Sequence, residues 1–243
     1  MWEIYDALLS GLPENERVTR ALAGDFWTLA ETDSGGLGLA MTTPWNQRPP
    51  MFPGGVGGLP VRAAAEAVKS WNLEEAGLGM AAANAYYNTP ARMAALGAEE
   101  PYGNYCTRGL DLSGKTVGIV GHLKMPAETL LGARQVYILE RNPQPGDWPD
   151  SACDFLLPEC DVVLITGSTL VNKTLPHLMA LCKNACTILT GPTVPMCPAL
   201  LNLGFSRLAG MIVTDAAAMR AHVQGHVPGP PYPFGKTFLL KGD

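Results

Sequence analysis

No stretch of this 243-residue sequence approaches the roughly 20 consecutive apolar residues that a bilayer-crossing helix requires, so no membrane partner is expected. Basic residues are also scarce, 17 against 22 acidic ones for a net charge of −5, and they form no cluster. A nucleic-acid surface needs a basic face to neutralise phosphates, so nucleic acid is not expected either. The opening Met1-Trp2-Glu3-Ile4-Tyr5-Asp6 lacks the basic start and apolar core of a secretory signal, which makes the cytoplasm the expected compartment. Cys106, Cys153, Cys160, Cys182, Cys186 and Cys197 include no CxxC pair, so they read as small hydrophobes and not as a metal site. Charged residues amount to only 16% and hydrophobic ones to 47%, a balance that excludes general disorder and provides for a sizeable core.

What is present falls into two rhythms. In the first half, Tyr5, Leu8, Leu9 and Leu12 stand at helical spacing. Two apolar runs, 26–32 and 37–42, flank Asp33-Ser34-Gly35-Gly36, which predicts a hairpin. Residues 43–60 are dense in Pro and Gly and include Trp45, Arg48 and Phe52, the composition of a long loop or lid. Val61, Ala64, Ala65 and Val68 predict one helix. Asn72-Leu73-Glu74-Glu75 predicts the start of a second, with Asn72 as cap and Glu75 reaching back to its amide, ending near Asn88 before Pro90. Turn residues from 97 to 113 suggest a boundary, placed between 108 and 109.

The second half carries five short continuous apolar runs at 116–120, 136–139, 162–165, 187–189 and 211–213. Continuous runs fit strands buried on both faces, and an intervening stripe of Leu175, Leu178, Met179 and Cys182 fits a crossover helix. The fold class expected is therefore α/β: a C-terminal Rossmann-like, mostly parallel sheet (109–243) beside a smaller N-terminal α+β unit (1–108).

Ligands of such sheets bind beyond the carboxyl ends of the strands. Those ends read Gly121-His122, Glu140-Arg141, Thr166-Gly167-Ser168-Thr169, Thr190-Gly191-Pro192-Thr193 and Thr214-Asp215. Glu140 follows Gly121 at about the spacing of a ribose-binding acid, yet Gly118-Ile119-Val120-Gly121-His122 is not GxGxxG, so a standard dinucleotide grip on pyrophosphate is not expected, while a nucleoside-like ligand stays open. Residues 109–116 match the letters of a Walker A motif, but Lys115-Thr116 opens a strand where the mechanism requires a helix. Asn172 is positioned to cap the helix carrying Leu175. His222 and His226 stand four apart, a metal-clamp spacing only if one helix carries both, and Gly225 and Pro228 argue that it ends too soon.

At these residues the chain resembles a bacterial and archaeal heavy-metal chelation domain family, first defined as a domain of unknown function. The likeness rests on Gly118-Ile119-Val120-Gly121-His122, Glu140, Gly146-Asp147, residues 161–175, Thr190-Gly191-Pro192-Thr193-Val194-Pro195 and Leu208-Ala209-Gly210. In the first half it rests on Gly38-Leu39-Ala40, Gly57-Gly58-Leu59-Pro60 and Ala83-Asn84-Ala85. The resemblance implies an enolase-N-terminal-like domain joined to a Rossmann-like one, with an active site between them. It also implies condensation or hydrolysis in making a pterin-, flavin- or siderophore-like metal chelator.

Three functions compete: a small-molecule enzyme or binder, a non-catalytic metal-binding or delivery protein, and a nucleotide- or adenosylmethionine-dependent transferase. The first is favoured, with an interdomain site in which Asn84, His122, Glu140, Thr166 and Asn172 converge. His122 and Glu140 are the candidate catalytic residues, and Asn84, Gly121, Thr166, Gly167, Thr169, Asn172, Gly191 and Thr193 the candidate ligand contacts. No cofactor is assigned, and a homo-oligomer remains open.

Overall fold

The computed structural model describes residues 2–100, 106–123, 125 and 127–242, so part of the expected 97–113 boundary lies outside the described residues. Helix α1 (Glu3–Ser10) buries Ile4, Tyr5, Leu8 and Leu9; three of these belong to the expected stripe, and its fourth member, Leu12, is buried just past the helix end. Strands β1 (Val18–Ala23), β2 (Trp27–Thr32) and β3 (Leu37–Met41) form an antiparallel sheet in that order. The hairpin between β2 and β3 is the predicted one. Strand β1 was not read from the sequence, because only Val18 of its six residues is fully buried and no alternation marks it.

Helix α2 (Val61–Ala65) runs into a 3₁₀ turn (Glu66–Lys69), and α3 (Leu73–Tyr87) lies across the small sheet. Asn72 caps α3 as expected, its Oδ1 accepting from the Glu75 amide at 3.1 Å. Glu75 does not reach back, however. Its carboxylate accepts the amides of Met51 and Phe52, each at 2.7 Å, and so ties down the 43–60 loop that the sequence left unplaced. Pro90 also does more than end α3: with Thr89 as cap it begins α4 (Pro90–Ala95), where the missing N–H of proline costs nothing.

Five Ala and two Gly stand among the 15 residues of helix α3, so it can sit close to its neighbours. At Gly38 of β3 even a methyl group would overlap the backbone of Ala81 and Ala85 on α3. That contact needs glycine on the strand and small residues on the helix, and the sequence supplies both.

The larger sheet contains β4 (Thr116–Val120), β5 (Gln135–Glu140), β6 (Trp148–Pro149), β7 (Val162–Thr166), β8 (Cys186–Thr190), β9 (Arg207–Val213) and β10 (Gly235–Lys241). All five predicted runs are parallel strands. The order is β10-β9-β8-β7-β4-β5-β6, with β10 antiparallel at one edge. Without β10 this is the doubly wound order 3-2-1-4-5-6, whose direction reverses between β4 and β7. The crossovers use α5 (Cys153–Leu156), α6 (Ser168–Val171) and α7 (Leu175–Leu181), and α8 (Ala216–Gln224) follows β9. Between β4 and β5 the described residues contain no α-helix, only a 3₁₀ turn (Ala127–Leu130). A pyrophosphate therefore lacks the helix N-terminus that holds it in dinucleotide folds.

The N-terminal elements cover the carboxyl edge on its β7–β9 side. Asn88 of α3 donates to the carbonyls of Val194 (2.8 Å) and Met211 (3.2 Å) and accepts from the Met196 amide (2.9 Å). The Tyr5 hydroxyl donates to Leu170 O at 2.9 Å. Leu29, Leu37 and Leu39 pack in one apolar cluster with Met211, Met219 and Val223.

Candidate functional site

Four adjacent strands, β5, β4, β7 and β8, bring their carboxyl ends side by side, each about 4.8 Å from the next. The polar residues that follow these strands are thereby gathered into one strip, part of it roofed by the N-terminal unit.

On the β5 side the centre is His122. Its Nδ1 lies 2.9 Å from Asp147 Oδ2, and the Asp147 side chain is only 4% exposed against 33% for the imidazole. The Gln144 amide, at 2.9 Å, and the imidazole itself hold the Asp147 carboxyl below the usual range. An ionised carboxylate only accepts, so in the neutral imidazole Nδ1 carries the proton and Nε2 keeps its lone pair. This is the orientation that a general base, or a base that returns its proton as an acid, requires. Asp147 belonged to the family resemblance but was not singled out as a site residue; its partner is 25 positions away, and no local spacing signals the pair.

Glu140, at the end of β5, has a different occupation from the one expected. Its Oε2 accepts the His122 amide at 2.7 Å, and its Oε1 accepts the amides of Arg141 (2.7 Å) and Asn142 (3.3 Å). Three of its roughly four lone-pair positions are thus taken by backbone, which makes it a clamp on the β4–β5 loops more than a free grip for ribose.

In the middle of the strip, Gly121 has a φ of +100°, and a Cβ there would meet Thr166 Cγ2 at 2.9 Å. The position needs glycine on both counts. Thr166 Oγ1 lies 3.2 Å from Ser168 Oγ, while Thr169 turns its hydroxyl back to Thr166 O at 2.6 Å and is buried. Gly167 donates to Thr190 O at 2.9 Å and packs against Thr193 and Val194.

On the β8 side, Gly191 donates to Ala209 O at 3.0 Å, and the Thr193 hydroxyl accepts the Met41 amide at 2.9 Å. Asn84, fully buried on α3, donates from Nδ2 to Leu39 O (2.6 Å) and Thr193 O (2.9 Å). Its Oδ1 has no hydrogen-bond partner among the described residues.

The structure thus brings together Gly121 with Thr166, His122 with Glu140, and Asn84 and Gly167 with Thr193. Asn172 stands apart from these contacts. It does not cap α7, whose cap position is Thr174; its Oδ1 accepts the Thr174 amide (3.1 Å) and hydroxyl (2.7 Å) instead, the turn habit that competes with capping. The His222–His226 spacing does not act as a clamp, since α8 ends at Gln224 and His226, at φ 52°, lies beside Asp25 at 2.9 Å.

Next to Asn172, Lys173 has a left-handed backbone (φ 69°) and a half-buried amine that donates to Val171 O at 2.6 Å. Burial pulls its pKa down to about 8 from 10.5. Between those values the unfolded chain holds the proton and the folded chain does not, so this group adds stability as pH rises from about 8 toward 10.5. Lys173→Met is expected to lose that rise: the Tm of the original chain minus that of the variant should grow over this pH interval. A flat difference in thermal unfolding would contradict the assignment.

A resident soft metal does not fit the donors present. Burial pushes the thiols of Cys106, Cys153 and Cys160 up to about 11 and that of Cys182 to about 12, away from the thiolate that such an ion binds. Among the described residues no three His, Cys, Asp or Glu side chains are grouped as a metal ion's ligands.

Two family descriptions match the sequence, DUF4213 over residues 5–87 and DUF364 over residues 110–226, and both read "Putative heavy-metal chelation". Among solved structures, a protein of unknown function from the DUF364 family of Desulfitobacterium hafniense is 39% identical, with a TM-score of 0.87 over 99% of this chain and 98% of its own. Another from that family, of Pyrococcus horikoshii, is 25% identical with a TM-score of 0.77 and the same coverage. An uncharacterized protein of Methanocaldococcus jannaschii is 32% identical over 162 residues; the match spans 60% of this chain and 58% of the relative.

Proposed function

This chain belongs to the DUF364 family, and from that premise we propose that it acts on a small chelating molecule at the seam between residues 1–108 and 109–243. The reaction class that fits is condensation or hydrolysis in the making of a pterin-, flavin- or siderophore-like metal chelator. The metal is then the cargo of the product and not a resident of this protein. The observation that carries the reading is the His122–Asp147 pair at the carboxyl end of β4, beside the switch point, with no hydrogen bond to Nε2 among the described residues.

Each residue has a part in it. His122 takes or gives the proton, Asp147 fixes its tautomer, and Glu140 holds the loop that presents it. Gly121 keeps the approach open, and Thr166, Gly191 and Thr193 line the strip. Asn84, buried beneath the strip, ties β3 to the Thr193 loop that lines it.

Native mass spectrometry tests this directly. After incubation with a cell extract of small molecules, the protein is expected to retain an organic adduct. His122→Ala should reduce it about tenfold or more, a difference of about 1.4 kcal/mol in binding, and Asp147→Asn should fall between. No adduct on the original chain, or equal adducts on all three, would remove the proposed site.

A further inference from the structure

We infer that Thr166 and Ser168 form a second pole of this site, a hydroxyl pair that donates to a carbonyl-type oxygen of a neutral ligand whose acidic N–H or O–H faces His122. The inference rests on the reading above and adds the ligand's class.

Residues 166–169 contain three hydroxyls within one turn of chain. Thr169 has used its proton on Thr166 O. The other two are bonded to one another at 3.2 Å, and that is the hydrogen bond either side chain makes among the described residues. Two hydroxyls joined by one hydrogen bond carry two protons and use one. The pair therefore keeps one O–H to give, and both side chains are only half-buried.

Their place gives the spare donor a target. Strand β7 carries Thr166 to the switch point, where it packs against Gly121; a Cβ there would stand 2.9 Å from Thr166 Cγ2 and 3.9 Å from its Oγ1. The floor between the hydroxyls and His122 is thus a residue with no side chain. One pole gives a proton, and the other, Nε2, accepts one. A ligand that satisfies both presents an acceptor next to a weakly acidic donor, as hydroxamates and lactams do.

Charge narrows the class further. Glu140 and Asp147 stand on the His122 side, and among the described residues no lysine or arginine side chain bonds to Gly121, His122, Glu140, Asp147, Thr166 or Ser168. Among the described residues a phosphate or carboxylate thus meets two carboxylates and no cation bonded into the site, whereas a neutral carbonyl compound needs no counter-charge.

Isothermal titration with benzohydroxamic acid, and with its N,O-dimethyl derivative as a probe lacking both the N–H and the O–H, tests the proposal. The acid is expected to bind, with Ser168→Ala and Thr166→Val each weakening it about fivefold to tenfold, the worth of one hydrogen bond. The dimethyl derivative should bind more weakly to the original chain and lose nothing further in His122→Ala. Binding unchanged in both hydroxyl variants but lost in His122→Ala would leave the site standing and overturn the second pole. No binding of the acid to the original chain, alongside a His122-dependent adduct from the extract, would overturn the ligand class alone.

Discussion

Gly38→Ala is expected to cost about 4 kcal/mol or more and to lower Tm by roughly 10 °C, if the variant folds at all. The reason is geometric. The added methyl would overlap the Ala85 amide nitrogen and the Ala81 carbonyl oxygen, which are backbone atoms of α3 and cannot rotate aside. Strand and helix would have to separate, and with them the Asn84 bonds to Leu39 and Thr193 that link the two units. Since whole proteins are stable by only about 5–15 kcal/mol, such a loss takes a large share. Gly54→Ala is the control, because nothing lies within 4 Å of its added methyl. Thermal unfolding of both variants decides the matter: a Gly38→Ala Tm within about 3 °C of the control contradicts the close packing.

Asn88→Leu is expected to cost about 3 kcal/mol or more, for a different reason. Leucine keeps the size of the side chain but leaves the Met196 amide and the Val194 and Met211 carbonyls without their partner, at a position 3% exposed. An unsatisfied buried group costs about 1–3 kcal/mol, and three are at stake. The loss should be local as well as global, so amide hydrogen exchange in residues 191–197 should quicken under native conditions. Unchanged exchange there, together with an unchanged denaturation midpoint, would mean that Asn88 does not hold the seam.

The parallel strands could be read from the sequence because burial on both faces leaves continuous apolar runs, and each of the five was such a run. Strands on edges leave weaker marks. Strand β1 has a single fully buried residue, β6 has two residues, and β10 starts at a glycine and includes lysines at Lys236 and Lys241. The candidate site was readable as a set of strand ends, which follows from the topology. What each side chain does there was harder to see. Glu75, Glu140 and Asn172 were assigned partners by local spacing, and all three found backbone amides elsewhere. A carboxylate or amide side chain takes whichever donors the fold brings close, and those donors are nonlocal for Glu75 and, in the His122 amide, for Glu140. The His122–Asp147 pair has the same character. It exists because two loops, one after β4 and one after β5, are held together by Glu140.

The measurement that bears most directly on the central claim is a crystal structure of the protein with the small molecule it retains from the extract. The account predicts density beyond the carboxyl ends of β4 and β7, with one ligand atom within hydrogen-bond distance of His122 Nε2. A ligand seated at the opposite edge of the sheet, beside Lys115 and Asp161, or anywhere out of reach of His122, would contradict it.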